Sequence, residues 1–131
     1  MSVYPQGGLA TMLRSNQQGF MFNNDLVVVG EMSQAFQLER ISHSAYPWGA
    51  SFEVVFSASP GTFEIDIMGA NQDLLVNYNL LGSISATNNA TSGAWVGRYD
   101  MASNLWPKYV AAYVKTFPNF ATVKVTLQVT R

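Results

Sequence analysis

The last segment of the chain has the most regular pattern in the sequence. Residues 121–130 read ATVKVTLQVT, so Val123, Val125, Leu127 and Val129 alternate with Thr, Lys and Gln. An alternation with period two puts every second side chain on one face of a β-strand and the others on the opposite face. This segment therefore predicts a strand with one face in a core and one face toward water.

Two earlier segments, residues 51–57 (SFEVVFS) and 62–68 (TFEIDIM), alternate in the same way. They are joined by Ala58-Ser59-Pro60-Gly61, in which the order of Pro and Gly is typical of a type II turn. We therefore predict a β-hairpin over residues 51–68. A second hairpin is predicted over residues 108–130, because β-forming residues outnumber the two alanines that favour a helix in its first half.

Eight or nine short strands are predicted in all, with turn signals every 8–12 residues and no convincing helix. The predicted fold is all-β, an antiparallel β-sandwich that is jelly-roll-like, over residues 25–131. Residues 1–24 have little periodicity and are predicted to be an extended N-terminal arm. A frayed terminus and an arm that orders on a neighbouring subunit are both consistent with the pattern, and the apolar content favours the second.

Composition excludes several classes of function. The 131 residues are 48% hydrophobic and only 11% charged, with 7 basic and 8 acidic residues, one His and no Cys. Disulfides, thiol nucleophiles and Cys-ligated metals are excluded, and the charge balance argues against nucleic acid as a partner. The N-terminal residues predict no signal peptide, and no apolar run is long enough for a membrane helix. We predict no cofactor and no membrane partner.

Few residues suggest catalysis. His43 lies between two serines, but neighbours on a strand point to opposite faces, so a surface histidine is the simpler interpretation. Glu64 and Asp66 share a strand face at roughly 6.5–7 Å, a spacing near that of inverting glycosidases. The alternation places this face in solvent, where nothing would raise a carboxyl pKa, so a hydrated acidic face is favoured over an acid–base pair or a weak divalent-cation site. A small hydrolase is the least favoured class.

The aromatic residues are more informative, at 13% of the chain. Trp48 and Trp106 lie in loop-like, Pro-containing surroundings, where exposed rings would mark a binding surface. A core location for each Trp is the alternative. The candidate interface residues, from the arm and from the aromatic loops, are Val3, Tyr4, Leu9, Met12, Leu13, Phe20, Trp48, Trp95, Tyr99 and Trp106.

Two stretches carry a resemblance to a known group of proteins. Residues 39–67 (ERISHSAYPWGASFEVVFSASPGTFEIDI) and 106–131 (WPKYVAAYVKTFPNFATVKVTLQVTR) resemble small structural proteins of tailed-bacteriophage virions. The resemblance covers about half of the chain and includes no catalytic motif. It implies a virion component that is made in the host cytoplasm, either a capsid decoration (cement) protein or a head–tail or tail accessory.

The predicted function is therefore that of a non-enzymatic virion structural protein. It would bind the outside of a phage capsid through oligomerisation and arm exchange, with other copies and the major capsid or another virion protein as partners. Two alternatives stay open: a neck or tail accessory protein, and a carbohydrate-binding β-sandwich module that stacks a glycan on the loop aromatics.

Overall fold

Nine β-strands and one short 3-10 helix make up the regular structure in the described part of the chain. The computed structural model describes residues 10–14, 16–38, 49–57, 62–72, 75–85, 96–101, 107–117 and 122–130. The strands are β1 (Thr11–Leu13), β2 (Gln18–Leu26), β3 (Phe36–Leu38), β4 (Gly49–Phe56), β5 (Glu64–Ala70), β6 (Asn79–Ser85), β7 (Val96–Met101), β8 (Tyr109–Thr116) and β9 (Thr122–Thr130), and the 3-10 helix is Leu75–Asn77. The all-β prediction is confirmed.

The strands form two sheets. One has five strands in the order β1-β3-β8-β5-β6, and the other has four in the order β2-β9-β4-β7. The pairing of β1 with β3 is parallel, and the other strand pairings are antiparallel.

A single large core lies between the two sheets. Val123, Val125, Leu127 and Val129 of β9 are fully buried, as their alternation predicts. They belong to the same apolar cluster as residues of the five-stranded sheet, among them Ile65. The two apolar faces therefore pack on each other in a β-sandwich-like arrangement.

Both predicted hairpins are wrong. In residues 51–68, β4 pairs with β7 and β9, whereas β5 pairs with β6 and β8 in the other sheet. In residues 108–130, β8 and β9 likewise belong to different sheets. The alternation is the same in either arrangement, because each strand turns one face to the shared core whether its successor pairs with it or crosses to the opposite sheet.

The predicted N-terminal arm also needs correction. Residues 1–9 and 15 lie outside the described residues, but β1 and most of β2 fall within the region assigned to the arm. Leu13, Met21 and Phe22 are buried in the large core. Two register shifts against β9 interrupt β2, so that consecutive residues such as Met21 and Phe22 are both buried, and the regular alternation that would reveal the strand is lost.

A second, smaller apolar cluster occupies the outer face of the five-stranded sheet. It contains Met32, Ala35, Ala70, Tyr78, Tyr109 and Ala111, with Ala10, Met68 and Tyr113 packed against it. We call it the outer cluster. Residues 30–33, which lead into β3, run beside β8: Gly30 N–H donates to Val114 O at 2.8 Å, and Ser33 N–H donates to Ala112 O at 2.8 Å. This pairing places Met32 beside Tyr113.

Candidate functional site

Two carboxyl groups meet on the outer face of β5. Glu64 and Asp66 alternate with Ile65 and Ile67, which are fully buried in the large core. The two side chains are close enough for a hydrogen bond between their carboxyl groups to shift the pKa of each. Asp66 is only 6% exposed, and its Oδ1 atom is buried with no hydrogen-bond partner among the described residues.

The neighbouring strands surround this pair with polar groups. Asp66 lies opposite Tyr113 of β8 on one side and Ser83 of β6 on the other. The Lys115 Nζ atom lies 3.5 Å from Glu64 Oε2, and both side chains reach solvent. We call Glu64, Asp66 and Lys115 the carboxyl cluster.

The environment separates the pKa values of the two carboxyl groups. Burial, reinforced by the hydrogen bond to Glu64 and by its charge, raises the pKa of Asp66 to about 7. The hydrogen bond from Asp66, together with the charge of Lys115, lowers the pKa of Glu64. Between pH 4.5, the ordinary pKa of a Glu side chain, and about pH 7, the pair therefore carries one proton, with the Asp66 acid donating to the Glu64 carboxylate.

The expectation of a hydrated acidic face is wrong for Asp66. Alternation identifies the face that points away from the large core, but it does not reveal whether neighbouring strands cover that face. Here the flanking strands bring Tyr113 and Ser83 beside Asp66, and the outer cluster lies further along the same sheet. Glu64 remains partly exposed.

The geometry does not match the hydrolytic chemistry that the spacing suggested. Inverting glycosidases hold their carboxyl groups roughly 6.5–9.5 Å apart to admit a water molecule, whereas the carboxyl groups of Glu64 and Asp66 are within hydrogen-bonding reach of each other. Within the described residues, no group of three or more acidic or His side chains is placed to hold a metal ion. The cluster can hold and release a proton.

The predicted interface residues differ in their exposure to solvent. Met12 and Phe20 are 39% and 37% exposed, whereas Leu13 is buried in the large core and its side chain is not on the surface. Residues outside the described part of the chain are Val3, Tyr4, Leu9, Trp48, Trp95 and Trp106, together with His43.

Tyr99 makes contacts inside the chain. Its ring stacks on Phe52 with centroids 6.1 Å apart, and its hydroxyl donates to Leu81 O at 3.2 Å. A Cβ atom built on Gly82 would lie 2.4 Å from the Tyr99 ring, so the absence of a side chain there allows the close approach of β6 and β7. Tyr99 thus connects the edges of the two sheets.

Sequence reasoning missed one exposed feature. Leu26 ends β2, and the chain then turns within the apolar run at residues 26–29. Leu26, Val28 and Val29 are 70%, 53% and 59% exposed, while Val27 is buried. We call Leu26, Val28 and Val29 the apolar turn. The signal available in the sequence was Gly30 directly after the run, which here adopts a φ of 94°.

Hydrogen bonds on both sides hold the apolar turn in place. Glu31 N–H donates to Val28 O at 3.1 Å, and the Glu31 carboxylate accepts from Val28 N–H at 3.2 Å. Gly30 N–H and Glu31 O both pair with Val114 in β8. The exposed apolar side chains are therefore presented by a fixed turn, which reduces the entropy lost when a partner binds.

Comparisons with known proteins found no matching family model, no matching curated protein and no matching solved structure. In the described residues no helix has the length and apolar character needed to cross a membrane.

Proposed function

We propose that this chain is a non-enzymatic structural protein of a bacteriophage virion, which binds the outside of the capsid in multiple copies. We also propose that its fold is a jelly roll. The strand order of the two sheets carries this proposal.

The strand order supports the jelly-roll proposal. Without β1, each sheet has four strands, in the orders β2-β9-β4-β7 and β3-β8-β5-β6. From β2 to β9 the chain passes to the opposite sheet at every connection except the one between β5 and β6. Jelly rolls have eight strands in two such sheets, and viral capsid proteins and lectins are among the proteins that use them. The order is thus consistent with the resemblance seen in residues 39–67 and 106–131.

The apolar turn supports association with a second copy of the chain. It lies at the end of β2, an edge strand of the four-stranded sheet. The opposite edge, β7, carries the exposed Arg98–Asp100 ion pair, and charges on an edge strand discourage association. Exposed apolar groups on a fixed turn, by contrast, favour association between copies. With so few charges on the whole chain, copies can pack side by side with little repulsion.

Light scattering coupled to size-exclusion chromatography tests this association. We expect the wild-type chain to form oligomers whose population rises with concentration. The triple variant Leu26→Asn, Val28→Thr, Val29→Thr should shift the population toward monomer, because it removes apolar surface without touching the core. Val76→Thr is the matched control, since Val76 is 88% exposed but lies in the 3-10 helix. A wild-type monomer at high concentration, or equal loss of oligomer in the control, would contradict the proposal.

The place of the protein in a virion is tested by mass spectrometry of purified particles. A copy number in the hundreds supports decoration of the capsid, and one near six or twelve supports the neck or tail alternative. Absence from the particle would contradict both. Because lectins share the jelly roll, a glycan array is the matching test of the carbohydrate-binding alternative.

A further inference from the structure

We propose that the carboxyl cluster is a proton-dependent lock on the outer face of the five-stranded sheet: a single proton joins Glu64 to Asp66, and its release weakens the folded state. This inference does not depend on the proposed function. It concerns groups that the association surface does not use.

The arrangement of charges explains why one proton is needed. With the proton in place, Asp66 is neutral, and the Glu64 carboxylate is balanced by Lys115 at 3.5 Å. Without it, two carboxylates in contact share one partly exposed cation, and the buried Oδ1 atom of Asp66 has no donor. Both the repulsion and the unsatisfied buried charge favour the protonated pair.

No other charged group described near Asp66 replaces that proton. On β8, Tyr113 lies opposite Asp66 and Lys115 lies beside Glu64. On β6, the residues opposite the two carboxyls are Ser83 and Ser85, which do not titrate in this range. Beyond β8, the Glu31 carboxylate is bonded to Val28 N–H.

The direction of the pH dependence follows from the two pKa shifts. The pKa of Asp66 is raised from 3.8 to about 7 on folding, so between these values the folded state holds a proton that the unfolded state has lost. The contribution of Asp66 to the free energy of unfolding is fully present below pH 3.8 and is lost as the pH rises through about 7. The pKa of Glu64 is lowered from 4.5, so its contribution is present above that pH and is lost in more acidic solution. The cluster therefore stabilises the fold most in mildly acidic solution.

Carbon-13 NMR of the Asp66 side-chain carboxyl group in the folded protein tests the lock directly. We expect its chemical shift to titrate near neutral pH. Lys115→Met should move the midpoint upward, because the charge of Lys115 favours the ionised form of Asp66. Lys124→Met, on the outer face of the four-stranded sheet, should leave the midpoint unchanged. Titration of Asp66 below pH 5, or equal shifts in the two Lys variants, would overturn the proposal.

Urea unfolding at a series of pH values tests the consequence for stability. The unfolding equilibrium constant should rise by about tenfold per pH unit between pH 5 and 6.5 and level off above about pH 8, relative to the variant Asp66→Asn. The Asn side chain imitates the protonated acid and does not titrate. Glu53→Gln, which removes an exposed carboxylate from the other sheet, should retain the full wild-type slope. If Asp66→Asn also retains that slope, the lock is disproved; if this variant does not fold, the carbon-13 titration of the wild type decides alone.

Discussion

The outer faces of the two sheets differ, although their inner faces share one core. On the four-stranded sheet, the outward residues of β9 (Thr122, Lys124, Thr126 and Gln128) are partly exposed polar side chains. On the five-stranded sheet, the outward residues of β8 and β5 include the fully buried Ala111 and the nearly buried Asp66. One outer face is in contact with water, and much of the other is occupied by a second apolar cluster.

This difference shows where an amphipathic strand pattern stops being informative. Val123 and Ile65 both face the large core, and both were assigned correctly from alternation. The surroundings of the opposite side chains depend on residues far away in the sequence. For β8 and β5 these include Met32 and Tyr78, which both belong to the outer cluster.

Among the substitutions that test the difference between the two outer faces, Met32→Ala is expected to lower the free energy of unfolding most. Met32 is 3% exposed and packs in the outer cluster, so Met32→Ala should leave a cavity and lower the free energy of unfolding by about 2–4 kcal/mol. Leu80→Ala is the control on the same sheet, because Leu80 is 58% exposed. It should change stability by no more than about 0.5 kcal/mol. Urea denaturation measures both, and equal effects would mean that the outer cluster contributes no more than an exposed surface.

Most of the strands could be predicted from the sequence, but their pairing could not. The alternation in β4, β5 and β9 identified the buried residues, and β8 was correctly assigned as a strand. The two hairpins failed because alternation specifies a face and carries no information on the partner strand. The N-terminal strands were missed because the register shifts in β2 break the alternation.

Only part of the candidate site could be predicted from the sequence. Glu64 and Asp66 were recognised as neighbours on one face, but the burial of Asp66 depends on cross-strand partners that a sequence pattern does not supply. The sequence did not connect Lys115 with these two carboxyl groups, because Lys115 lies 51 positions after Glu64 in the chain. The exposure of the apolar turn was not predicted, because an apolar run by itself does not show which of its side chains are buried.

Two serines make nearly the same hydrogen bonds in the two sheets, and the buried one is expected to matter more. Ser33 N–H donates to Ala112 O at 2.8 Å, and Ser33 Oγ accepts from Ala112 N–H at 2.9 Å. Ser33 is 2% exposed, so in Ser33→Ala the Ala112 N–H loses its acceptor where water does not reach it. We expect a loss of about 1–3 kcal/mol in the free energy of unfolding. Hydrogen exchange at the Ala112 amide should accelerate in the same variant, and unchanged exchange would show that another acceptor replaces the serine.

Ser57 provides the smallest expected effect and completes the comparison. Its N–H donates to Thr122 O at 3.0 Å, and its Oγ accepts from Thr122 N–H at 2.9 Å, so the bonding repeats that of Ser33 and Ala112. Ser57 is exposed at the end of β4, and a water molecule can take the place of the lost hydroxyl. Ser57→Ala should therefore change the free energy of unfolding by less than about 0.5 kcal/mol in the same urea experiment. If Ser57→Ala lowers the free energy of unfolding as much as Ser33→Ala does, the loss of the hydrogen bond sets the cost and burial does not. The difference in burial between the two sheets would then not affect the cost of losing this hydrogen bond.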